Sequence, residues 1–238
     1  MASKKTELGW EDIDARFRKP FDTKDIKWKP QTVDYKNNTA TAAAHADPRA
    51  YIDRLNEVVG SDNWETRFSF TTTPYVKTIK AKKGYGDNPG TPESTETGNK
   101  VVCVCELRIL GTTHSSTGDE NCSDENAATN AEAQAFKRAC MTFGIGRYLY
   151  SLPLTSFPFD SKTRQFIQKP TLPDWAIPKQ TCDDCKQTIA AGNHNGMDIS
   201  IMRLVENSQK KYAKDLCMPC QKKRAESPAQ TRGITDAK

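Results

Sequence analysis

Two groups of side chains in this 238-residue chain have the types and spacing to do chemistry. The first is the adjacent pair Lys137-Arg138, inside the run Ala131 to Tyr150. At about 100° per residue, a helix through this run gathers Ala128, Ala135, Phe136, Ala139, Cys140 and Phe143 on one side. Asn130, Gln134, Lys137, Arg138 and Met141 gather on the other. Two cations held rigidly beside polar, uncharged neighbours suit a phosphate backbone. A solvated helix face carrying two ordinary charges has the same pattern. Glu132 is out of place, because the wheel turns it toward the apolar side.

The second group is Cys182-x-x-Cys185 followed by Cys217-x-x-Cys220. Two such knuckles close a tetrahedral Zn²⁺ site with Zn–S near ~2.3 Å, and four protein ligands leave no open position for catalysis. The expected metal is therefore structural, a staple for a segment with little core of its own. A redox-active thiol pair is the rival reading, though nothing around either pair resembles a thioredoxin unit. His194 could replace one ligand but is surplus beside four cysteines. The long insert between the knuckles predicts a helix near 200–211. Lys210, Lys211, Lys214, Lys222, Lys223 and Arg224 cluster around this site as an auxiliary contact or a solvated charge run. Cys103, Cys105, Cys122 and Cys140 are scattered, and three of them fall on apolar faces, as core residues do in a reducing compartment.

The net charge of +5 does not announce a nucleic-acid binder. Residues 1–178 carry 24 Lys+Arg against 23 Asp+Glu, and residues 179–238 carry 11 against 7. Any polyanion site must come from local arrangement. No apolar run approaches the ~18 residues of a membrane span, and the basic N-terminus lacks the apolar stretch of a secretory signal, so a cytoplasmic location is expected.

Stepping outward from these residues, periodicity gives the elements. Leu8 to Phe17 is amphipathic, and Ile26 to Lys29 alternates as a strand with Lys27 and Lys29 on one face. Residues 36–46 give a weak signal. A helix runs from Pro48 to Val59, with Asp47 as N-cap and Gly60 as stop, and it buries Tyr51, Ile52, Leu55, Val58 and Val59. Trp64 to Phe70 reads as a half-buried strand and Tyr75 to Lys83 as a second, lysine-rich one. Gly84 to Asn99 reads as a hairpin tip. Val101 to Leu110 is the strongest strand, another passes through His114, and the long helix starts near Asp124. The class is α+β. The expected organisation is a domain over 1–169, a Pro-rich linker over 170–178, a four-cysteine module over 179–225 and a disordered tail over 226–238.

The run from Ala131 through Gly146-Arg147-Tyr148-Leu149-Tyr150 resembles the DdrA-like bacterial and phage branch of the Rad-fifty-two superfamily of single-strand annealing proteins. A second block upstream supports it: Ala50 to Gly60, closing with Asn63-Trp64. His114 to Asp119 resembles the family's last strand, and the likeness covers roughly residues 8–155. It implies a curved antiparallel β-sheet backed by helices. It also implies ATP-independent binding and annealing of single-stranded DNA in recombination and repair, by a homo-oligomeric ring. No GxxxxGK[ST] loop is present. Lys137 and Arg138 match the family's inner-groove Lys-Arg pair, whereas the arginine common four residues after the lysine is Met141 here. Lys29, and after it Lys27, match an early-strand cation. Arg147 either fixes the helix end or touches DNA. Lys77, Lys80, Lys82 and Lys83 make a second, outer basic surface or blunt a hairpin edge. Further expected partners are a single-strand-binding protein or an exonuclease, on the nucleoid of a bacterial or phage-infected cell.

Two other classes compete. His114, Asp119, Glu120 and Glu106 could bind Mg²⁺ and cut DNA, although such charges are more often solvated surface. Alternatively the zinc module dominates, as a DNA-binding adaptor without annealing. Annealing ranks first, and no catalytic residue is assigned.

Overall fold

In the computed structural model, which describes residues 9–83, 90–194 and 196–226 (without the side chains of Lys82 and Lys83), the elements follow one another with few long loops. They begin with α1 (Trp10–Phe17), β1 (Ile26–Asp34), β2 (Thr39–Ala46), α2 (Pro48–Val59) and β3 (Trp64–Ile79). Next come β4 (Lys82–Lys83), β5 (Gly90–Thr91), β6 (Ser94–Ile109), β7 (Thr112–Asn121) and α3 (Ala127–Thr142). The chain continues with β8 (Ser156–Asp160), β9 (Gln165–Phe166), β10 (Gly192–His194), β11 (Met197–Ile199), α4 (Ile201–Tyr212) and α5 (Met218–Glu226). Contacts divide it into two units, Met1–Lys19 with His45–Ser151 and Pro20–Ala44 with Leu152–Lys238.

The first unit holds the antiparallel sheet β3-β6-β7, curled and backed by helices. Cys103, Cys105, Leu107 and Ile109 alternate along β6 and are fully buried, as their period of two requires. α3 lies across β6 and β7 with Ala127, Ala131, Ala135 and Ala139 buried at every fourth position. A stripe of alanines lets the helix axis approach the sheet closely. Gly118 on β7 completes that approach: a Cβ there would fall on the Ala131 carbonyl oxygen and 2.6 Å from the Ala135 nitrogen. α2 has the bounds read from sequence, with Asp47 accepting from the Arg49 N–H and Gly60 at φ 88°. It buries Tyr51, Leu55 and Val58, leaving Ile52 and Val59 half-exposed.

Several expectations need correction. The two strands read between Trp64 and Lys83 are one 16-residue strand, β3, paired with β6 from Trp64↔Ile109 to Ile79↔Ser94. Pro74 interrupts the alternation in sequence, but β3 is an edge strand and can spare one N–H. The hairpin tip is correspondingly shorter; positions 84–89 lie outside the described residues, as do the basic N-terminus and positions 227–238. Phe68 and Phe70, expected on the inward face of a half-buried strand, are 36% and 50% exposed. They face the core side opposite Cys105 and Cys103, on the strand farthest from β7. Ala128 and Glu132 are exposed rather than turned inward, because α3 buries the neighbouring ridge.

The second unit holds the sheet β1-β2-β8-β9. β2 escaped sequence reading because its inward residues, Ala40, Ala42 and Ala46, are too small to mark an apolar period. Lys27 and Lys29 share the exposed face of β1. Leu172, Ala176 and Ile177 are buried within 170–178, and the Asp174 carboxylate accepts the Ile201 N–H at the start of α4. Ser200 caps that helix, the one predicted in the cysteine insert. No helix among the described residues is long and apolar enough to cross a membrane.

Candidate nucleic-acid interface and metal centre

Local chemistry explains both sequence blocks. Asn63 donates from Nδ2 to the Val59 carbonyl at 2.9 Å, closing the end of α2, and its own carbonyl accepts the Leu110 N–H. Trp64 Nε1 donates to Asn56 Oδ1 at 2.9 Å. The rings of Tyr51 and Trp64 both lie 6.4 Å from that of Phe136 on α3. Gly144 ends α3 at φ 94°, and Gly146 adopts φ 69° directly against the Tyr51 ring, where a Cβ would sit 2.7 Å from it. The Ala50–Trp64 block and the Phe136–Gly146 block are therefore two sides of one packing cluster. That cluster fixes the pitch of α3, and with it Lys137 and Arg138.

Arg138 Nη1 donates to the Thr117 carbonyl at 2.8 Å, and Gln134 Nε2 donates to the Asp119 carbonyl at 3.2 Å. These are alternate carbonyls of β7, which is the sheet's other edge. Two polar side chains one helical turn apart thus cover an edge that would otherwise invite strand pairing. The guanidinium keeps four N–H donors besides this one, on a head fixed in position. Lys137 stands next to it, half-exposed.

A third cation was missed by sequence reading. Lys100 Nζ sits 2.7 Å from the Asp119 carboxylate and 5.7 Å from the centroid of Tyr75. The Lys100 hydrogen bond, with help from nearby Arg138, holds the Asp119 carboxyl below the usual carboxylate range. The Tyr75 ring lies over Gly98, where a Cβ would come within 2.8 Å of it. β7 ends opposite Lys100, so beyond it residues 74–79 and 94–99 continue as a two-stranded ribbon. Lys77 and Lys80 are exposed there, Lys77 opposite Glu96. Only register could have revealed Lys100 and Tyr75, because they are 25 residues apart in the chain.

Of the residues expected to bind DNA, Lys137, Arg138, Arg147, Lys77 and Lys80 belong to the first unit; Lys27 and Lys29 belong to the second. Arg147 is exposed, its backbone N–H bonded to the Gly144 carbonyl at the end of α3. The residues weighed for Mg²⁺ chemistry are not brought together. His114 is exposed and packs edge-on against Phe143 with centroids 4.4 Å apart, while Asp119 lies five residues along on the opposite face of β7 and holds Lys100. Among the described residues, the group able to hold a metal ion is Cys182, Cys185, Cys217 and Cys220.

These four sulfurs lie within 4.8 Å of one another, with Cys185 Sγ 3.7 Å from Cys217 Sγ. Cys182 is buried and receives the Cys217 N–H at 3.4 Å. Burial pushes its thiol up, but backbone donors from Cys185, Cys217 and Asp184 outweigh that and bring it down to about 6. The neighbouring Cys217 sulfur and burial push Cys220 up to about 12. One thiolate is favoured and a crowd of four is not, unless a cation joins them. Leu216, Ile189 and Leu204 pack behind the cluster.

Residues 10–164 match the Rad52/22 family of double-strand break repair proteins. The chain belongs to the Rad52/22 family. Two similar proteins are both called single-stranded DNA-binding protein DdrA. The one from Deinococcus radiodurans is 30% identical over 167 residues, covering 70% of this chain and 68% of the relative. The one from Deinococcus deserti is 29% identical over 167 residues, covering 70% and 71%. The Rad52/22 match includes Lys137, Arg138, Lys100 and Tyr75, and it ends before the four cysteines.

Proposed function

We propose that this protein binds single-stranded DNA and anneals complementary strands, without ATP, as a homo-oligomeric ring acting in recombination and repair in the cytoplasm. The observation that carries the reading is the Lys137-Arg138 pair, with Arg138 anchored on the Thr117 carbonyl so that its head is preset rather than flexible. Membership of the Rad52/22 family and the names of the two DdrA relatives support it. Annealing needs phosphates neutralised along an extended strand while base edges stay free to pair, which cations on a rigid helix provide. Lys100, with Tyr75 beside it as a flat ring, extends the same chemistry along the sheet, and Lys77, Lys80 and Arg147 add exposed charge. Repetition around a ring would multiply these contacts and offset the near-neutral charge of one domain. Lys29 and Lys27 are the second unit's contribution.

Cys182, Cys185, Cys217 and Cys220 hold a structural Zn²⁺ in a module over 179–225. Four sulfurs at about 2.3 Å from one Zn²⁺ stand about 3.8 Å apart, close to the 3.7 Å between Cys185 and Cys217. The ion would offset the mutual repulsion of the thiolates and knit the two knuckles together.

Replacing Lys137 and Arg138 together by alanine is expected to weaken binding of an oligo(dT) strand at least tenfold while assembly, read by sedimentation, is unchanged. Wild-type affinity would refute the assignment of this pair.

A further inference from the structure

The charges of the cysteine module are segregated. Its acidic side chains are drawn into its own framework. Asp184 takes Arg224 through two bonds of 2.7 and 2.9 Å, with Lys214 at 3.6 Å. Asp183 accepts the Asp215 N–H at 2.8 Å, Asp215 accepts Gln209 Nε2 at 2.6 Å, and Asp198 accepts Asn193 Nδ2 at 2.9 Å. Those four carboxylates brace the knuckles and the β10–β11 hairpin. Among the described residues, Glu206 and Glu226 are left to balance the surface.

The cations are distributed the other way. Lys214 and Arg224 are spent on Asp184. Lys210 and Lys211 in the last turn of α4, and Lys222 and Lys223 on α5, are exposed, and none forms an ion pair among the described residues. The two helices are tied together: Tyr212 donates its hydroxyl to the Gln221 carbonyl at 3.2 Å, and Gln221 Nε2 donates to the Leu204 and Leu216 carbonyls. Lys211 Nζ stands 5.2 Å from the Tyr212 centroid, and Lys222 follows Gln221 directly. The four lysines therefore stand on two helices held against each other. Favourable placement beside helix C-termini accounts for some of this charge. It does not account for the internal consumption of the acids that would neutralise it.

The partner follows from what else this face offers. Among the described residues of 179–226, the large hydrophobic side chain left exposed is Met197, on the β10–β11 hairpin. A protein partner needs an apolar anchor at the centre of its contact. A phosphodiester backbone needs only mobile point charges, and lysine supplies them. We infer that Lys210, Lys211, Lys222 and Lys223 form a second binding surface for a DNA phosphate backbone, separate from the α3 surface and supplied by the metal-stapled module. The inference rests on the DNA-binding reading above.

The test uses the full-length, zinc-loaded protein and its quadruple K210A/K211A/K222A/K223A variant, with oligo(dT) and a random-sequence duplex as probes. Anisotropy titrations across salt concentrations give the slope of log Kd against log[salt]. Loss of four phosphate contacts flattens that slope by about 3 on the single strand, and Kd at low salt rises at least tenfold. The matching Lys→Arg variant keeps the wild-type slope. A loss confined to the duplex, or shared by both probes, supports the surface and tells which backbone it holds. Should the quadruple variant lose zinc, the pairs K210A/K211A and K222A/K223A are each expected to remove about half the slope change. Unchanged slopes on both probes overturn the inference. If Lys137→Ala/Arg138→Ala still weakens binding in that case, the main reading survives; if the wild-type protein binds neither probe, both fall.

Discussion

Arg138 holds the Thr117 carbonyl and is proposed to hold a phosphate as well, and the two roles separate in measurement. Its bond to the Thr117 carbonyl is partly exposed, so Arg138→Ala should cost only about 1 kcal/mol of stability while removing a phosphate contact. Urea unfolding read beside DNA affinity checks this; a cost of several kcal/mol would make the arginine a structural brace first. Asp119 holds Lys100 on the face of the sheet turned away from α3. Lys100 depresses its pKa below the unfolded value of about 3.9, so the stabilisation is complete above that value and is lost as pH falls through the lower folded one. Asp119→Asn is therefore expected to be less stable than wild type at pH 7, by under about 1 kcal/mol given its solvent exposure, and equal to it in strong acid. A difference that persists at pH 2 would contradict the pairing. Lys137, Arg138 and the cysteines were legible because their spacing is local. Lys100 and Tyr75 were not, because only the pairing of β3 with β6 makes them neighbours.

Close approach governs the elements. α3 can sit against β7 because alanines line its inner ridge and Gly118 offers no side chain. Gly118→Ala would push a methyl into helix backbone that has no room to yield, so a loss of about 3 kcal/mol or failure to fold is expected in thermal unfolding. Wild-type stability in that variant would mean that the helix stands farther off. Strong periodicity made α2, β6 and the apolar side of α3 readable. The join of β3 across Pro74, the alanine-marked β2 and the outward turn of Glu132 were not. Each depends on which edge or ridge the neighbours leave free, and a single strand's pattern does not contain that. The resemblance supplied the sheet-and-helix order, while contacts gave its reason: the two blocks that carry it meet on Phe136.

At the scale of the molecule, the Rad52/22 match ends before the four clustered cysteines, and a separate module over 179–225 is part of the proposal. Chelation or Cys182→Ser should release the ion and loosen residues 179–225 to proteolysis and hydrogen exchange, leaving 45–151 protected; loss of protection throughout would refute the division. Thiol labelling gives an independent check. Before chelation Cys122, which is exposed, should react first, while Cys103, Cys105 and Cys140 stay shielded by burial, which pushes Cys105 up to about 12. If the preset cations of α3 serve strand annealing, two complementary oligonucleotides pair far faster in the presence of this protein and no nucleotide than in its absence. The acceleration weakens with salt and disappears in Lys137→Ala/Arg138→Ala. Binding without acceleration, or acceleration untouched by that double replacement, would refute an annealing role for these cations.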